Sequence, residues 1–111
     1  MSADIKIIYK ILISWDKPKP SADLINEYER ITGMKYMLVT WQRSLKKLNL
    51  ALAKVGMPAL GALIFNEKEN DLGDLFWGTA PNIPLTGSQE KWQSILKTIK
   101  AYPWPSELPT S

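Results

Sequence analysis

Acid–base chemistry in this 111-residue chain is confined to carboxylates, lysines and tyrosines, because the sequence contains neither histidine nor cysteine. That excludes a zinc site of the usual type, a Ser-His or Cys nucleophile system, a disulfide framework and a haem-ligating histidine. Glu67, Glu69, Asp71 and Asp74 are spaced loosely like a calcium loop. They lack the ordered Asp-x-Asp-x-Asp-Gly run and its distal Glu, and a hydrophilic hairpin tip explains them more simply. The glycines at 33, 56, 61, 73, 78 and 87 are scattered as punctuation and form no phosphate-cradling loop. No acid and base are placed together by spacing alone. The residues therefore predict a non-enzymatic protein with no catalytic set, no metal and no cofactor, which works by binding.

The side chains best suited to binding are cations. Lys35, Arg43, Lys46, Lys47 and Lys54 fall in a stretch that contains no Asp or Glu. On a helix over about 35–55, Tyr36, Arg43, Lys47, Leu50 and Lys54 lie opposite an apolar stripe, with Lys46 beside them. Arg pairs bidentately with guanine or phosphate, and Lys neutralises phosphates. A basic stripe is also what a merely solvated helix face shows. Solubilising faces, however, usually mix signs, as in Glu–Lys pairs one turn apart.

Several elements must hold that stripe in place. Residues 5–15 fit a helical template (Ile5, Ile8, Leu12, Trp15) and an alternating one (Ile5, Ile7, Tyr9, Ile11, Ile13); a helix is expected, ended by Pro18 and Pro20. Ser21 is expected to cap a helix over 22–31 that buries Leu24, Ile25, Tyr28 and Ile31 and stops at Thr32-Gly33. The helix over 35–55 has Leu38, Trp41, Leu45, Leu48, Leu52 and Val55 as its inner stripe, and Gly56 and Pro58 stop it. From Pro58 the pattern changes. Residues 59–65 read as a buried strand and 75–77 as its return partner, with a polar loop between. A connector over 80–87 leads to a helix over 89–101, capped by Thr86 or Ser88, with Trp92, Ile95, Leu96 and Ile99 on one face. Three prolines keep the tail from being helical, and Trp104 is expected to dock on the body.

A 45% apolar fraction supports one domain over 1–111 with one core, in which Trp15, Trp41, Trp77, Trp92 and Trp104 pack inward or clamp a terminus. Net charge is +3, but residues 1–60 carry ten Lys/Arg against five Asp/Glu, and the remainder four against six. No stretch approaches the roughly 20 apolar residues of a membrane span, and the start lacks the order of a signal peptide. A cytoplasmic protein without membrane attachment is expected.

The succession of helix, short helix, Thr-Gly turn, longer helix and two-stranded hairpin over residues 5–78 resembles a winged helix-turn-helix domain. The residues carrying the likeness run from Ser21 to Leu48, with Leu24, Ile31, Gly33, Leu38 and Leu45 at the buried and turn positions of such motifs. Residues 79–111 would add a connector, a C-terminal helix and a Pro-rich tail. The implied class is α+β, with three N-terminal helices, a hairpin wing and a C-terminal helix. Residues 56–77 are also similar to a segment of small uncharacterised prophage and mobile-element proteins. A helix-turn-helix placement would turn Lys35, Tyr36, Thr40, Arg43, Ser44 and Lys47 toward a major groove, the hydroxyls contacting backbone oxygens. The implied function is DNA binding, as in a phage or mobile-element regulator. The acidic wing tip, 67–74, opposes contact with phosphates. The alternative is therefore a protein-interaction module, such as an inhibitor or adaptor, whose basic face meets an acidic protein.

Overall fold

In a computed structural model, residues 3–65, 76–85 and 87–108 are described. They form four α-helices, one 3-10 turn and a parallel pair of two-residue strands, a mixed helical arrangement compatible with α+β. Expectations for the loop 66–75, including its acidic tip, and for Thr86 as a cap lie outside these residues.

Helix α1 spans Ile5–Ile13. Asp4 caps it by accepting the Lys6 amide at 2.9 Å, which decides the ambiguous pattern in favour of helix. Ile8, Tyr9, Ile11 and Leu12 are buried, so α1 is the central element of the core. It ends before Pro18.

Strand β1, Lys19–Pro20, runs directly into helix α2, Ser21–Thr32. Pro20, and not Ser21, stands at the N-cap position; its fixed φ of −61° suits the turn into a helix. Gly33 terminates α2 at φ 70°, and its amide donates to Glu29 O at 2.8 Å. Leu24 and Tyr28 are buried, Ile25 is half-buried, and Ile31 is exposed.

Helix α3, Leu38–Lys54, begins three residues later than its periodicity suggests. Residues 34–37 have no regular structure, Met37 in extended backbone, and Tyr36 packs on Tyr28 of α2. Trp41, Leu45, Leu48 and Leu52 are buried as expected, but Leu38, at the uncovered first turn, is 62% exposed. Ser44 and Asn49 are buried with the leucines.

Residues 59–65 depart from the expected strand and hairpin. Leu60–Leu63 form the 3-10 turn, and only Ile64–Phe65 are extended, as β2. Strand β2 pairs in parallel with β1, Lys19 opposite Ile64 and Pro20 opposite Phe65. Phe76 and Trp77, expected in the return strand, lie in a turn. The cause is packing: 59–64 are apolar and buried on every side, so the pattern cannot distinguish a strand from a helical turn. Gly61 fixes the outcome locally, since a Cβ there would stand 2.6 Å from Asn49 Oδ1 on α3.

Helix α4, Gln89–Ala101, is capped by Ser88, whose hydroxyl accepts the Lys91 amide at 3.2 Å. Trp92 and Ile99 are buried, and Trp92 Nε1 donates to Ala62 O at 2.9 Å. The tail then turns back over α1. Tyr9 donates to Pro105 O at 2.7 Å, Trp104 Nε1 donates to Ile99 O at 2.8 Å, and the Tyr9 and Trp104 rings meet edge to face.

Candidate nucleic-acid interface

An aromatic triangle seats the start of α3. Trp41 meets Tyr28 of α2 edge to face at 5.0 Å between centroids, and Tyr36 completes the group at 6.0 Å from Tyr28 and 6.4 Å from Trp41. Such ring pairs add to burial in the favoured edge-on geometry. Thr32 secures the turn before them: its hydroxyl donates to Tyr28 O and accepts the Met34 amide.

With that end fixed and its leucines against α1 and the 3-10 turn, α3 turns about half its circumference to solvent. Leu38, Gln42, Lys46, Leu50 and Lys54 follow one another at four-residue steps along one row. Val39, Arg43 and Lys47 form the row beside it, and every residue of both rows is exposed. At a rise of about 1.5 Å per residue, the cations from Arg43 to Lys54 span about 16 Å. Lys35, just before the helix, is exposed as well. Among the described residues the ion pairs are Lys10–Glu107 and Glu27–Arg30, so none of the five cations has a carboxylate partner there.

The hydroxyl groups expected beside these cations are placed differently. Ser44 is fully buried; its Oγ accepts the Ala3 amide at 2.8 Å and donates to Thr40 O at 2.9 Å, so it ties the N-terminal segment to α3 and faces away from any ligand. Its position in the sequence, three residues after Trp41 and one before Leu45, already puts it on the inner arc. Tyr36 is half-buried in the aromatic triangle, and Thr40 is half-buried at the margin of the exposed face. The structure thus brings Arg43, Lys46, Lys47 and Lys54 onto one face of α3, leaves Lys35 exposed just before it, and withdraws Ser44 into the core.

An apolar extension of the same surface is not evident from helical periodicity. Ile31, Met34, Met37, Leu38 and Val39 are between 43% and 75% exposed. Leu38 and Val39 open the two exposed rows and Met37 stands at the N-cap just before them, so the cationic face has an apolar head. Large apolar side chains exposed together mark contact surfaces more often than singly exposed ones do.

Among the described residues, no group of three or more Asp or Glu side chains could hold a metal ion, and no helix is long and apolar enough to cross a membrane. No family model, curated protein or solved structure matches the chain.

Proposed function

We propose that this chain is a non-enzymatic nucleic-acid-binding domain that docks on duplex DNA through the exposed face of α3. The observation that carries this reading is the two-row surface of Arg43, Lys46, Lys47 and Lys54, extended by Lys35, with no carboxylate pairing among the described residues. Such a face exchanges condensed counterions for phosphate contacts, which is the main source of affinity for DNA. Arg43, near the middle of the helix, is the side chain suited to a guanine edge, and the lysines suit phosphates. A regulatory role in a phage or mobile element is the setting suggested by the resemblance of residues 56–77.

The test is a fluorescence-anisotropy titration of duplex DNA at several salt concentrations. Four or five phosphate contacts give a log–log slope of roughly −4, at about 0.9 per contact. The Arg43→Glu/Lys47→Glu variant, changed only at exposed positions, should flatten that slope by about 1 through Lys47 and lower affinity further through Arg43. Binding indifferent to salt, or unchanged in the variant, refutes the reading.

A second reading is favoured by one observation, the exposed apolar head of the same face. An acidic protein presenting an apolar patch would match Met37, Leu38 and Val39 beside Lys35 and Arg43. It would bind the protein without DNA, and replacing Met37 and Leu38 by Ser would weaken that complex more than it weakens any DNA complex.

A further inference from the structure

The cleft between the end of α1 and the last turns of α4 is separate from the α3 face. α1 and α4 meet chiefly through the 3-10 turn at 60–63, against which both pack. The space left between them has a volume of about 410 Å³, within the roughly 300–1,000 Å³ of small-molecule sites. Leu12, Leu60, Leu63 and Ile99 give it a buried apolar floor. Half-buried Trp15, Leu96 and Trp104 stand as its walls.

Charge at the mouth is one-sided. Lys17, from the segment after α1, and Lys97 and Lys100, from α4, line it against the single carboxylate of Asp16. None of these lysines is ion-paired among the described residues. An apolar interior whose rim carries unpaired ammonium groups from two elements complements a ligand with an apolar body and one anionic head. Lysine suits that head, because its ammonium is a mobile point charge with three donors.

We infer that this cleft binds a small amphipathic carboxylate, its hydrocarbon portion against Trp15, Leu63, Leu96 and Trp104 and its carboxylate among Lys17, Lys97 and Lys100. A cationic amphiphile of the same length is repelled at the rim, and a neutral one gains only the apolar contact. The site does not depend on the α3 face, so the two can be tested separately.

The test is an amide-resolved NMR titration of the intact protein with sodium octanoate, n-octylammonium chloride and octan-1-ol. Octanoate is expected to give saturable shifts at Leu60, Leu63, the 96–100 amides and the Trp104 indole. Octanol should bind more weakly, and octylammonium should leave these signals unmoved. Lys97→Glu/Lys100→Glu, at exposed helical positions, should weaken octanoate binding about tenfold; Lys17→Glu should act in the same direction from the opposite wall, and Lys97→Arg/Lys100→Arg should retain binding. Absence of saturable shifts with octanoate, equal binding of octylammonium or octanol, or unchanged affinity in both charge-reversed variants overturns the assignment.

Discussion

Asn49 is the most exacting single position in the core. It is fully buried; its Nδ2 donates to Thr79 Oγ1 at 2.9 Å, and that hydroxyl donates to Phe76 O at 2.6 Å. Its Oδ1 has no partner among the described residues. Replacing Thr79 by Val leaves both ends of a buried amide without a partner, so urea unfolding should show a loss of about 1–3 kcal/mol. Tyr9 and Tyr28 make a different demand. Burial raises both phenols above their ordinary value, with Tyr102 adding to the shift at Tyr9. A raised phenol favours the folded state fully below the unfolded value of about 10, and the contribution is lost as pH climbs through the folded value. Stability should therefore hold through neutral pH and fall above about pH 10, and Tyr9→Phe should make that alkaline fall shallower in denaturation melts. The cations of the candidate interface were legible from residue types, since nothing acidic lies between Lys35 and Lys54. Ser44 does not share that face, because its place between Trp41 and Leu45 puts it on the buried arc of the helix.

Helix α3 starts at Met37, which occupies the N-cap position with no side-chain hydrogen bond and is 75% exposed. Serine there would accept an orphan amide of the first turn without any loss of packing, so Met37→Ser should raise stability by about 1 kcal/mol in thermal or urea melts. If the apolar head of the face contacts a partner, the same substitution weakens that complex while the fold gains. Three helices were readable in advance because each buries one side only, which keeps the 3.6-residue period visible in 21–32, 38–54 and 89–101, whereas 5–13, apolar on most sides, fitted an alternating pattern as well. Residues 59–65 were not, because they are enclosed by α1, α3 and α4 and need no polar side. The parallel pairing of β1 with β2 was equally hidden. Two-residue strands carry no alternation, and their partners are 45 residues apart in sequence.

The chain folds to a Cα radius of gyration of 12.9 Å, near the about 13 Å expected of a compact domain of its length. Closure depends on the tail. Trp104 and Pro105 contact Tyr9 of α1 and Leu108 is buried, whereas the Lys10–Glu107 ion pair, between exposed side chains, adds little. Removing residues 103–111 strips the Trp104 ring contacts with Tyr9 and Tyr102, two hydrogen bonds and an apolar cover. The truncated chain should lose about 2–4 kcal/mol in denaturant unfolding and expose Tyr9 to solvent. An unchanged midpoint would show the tail to be ornamental.

The bond from Tyr9 to Pro105 joins positions 96 residues apart. During synthesis, α1 leaves the ribosome well before the segment around Pro105 that covers its central tyrosine. Until then an apolar surface stays open to chaperones and to neighbouring nascent chains. Contacts this distant also slow the search for the native state, so translation stalled shortly before residue 104 should yield a chain that is helical yet readily digested by protease.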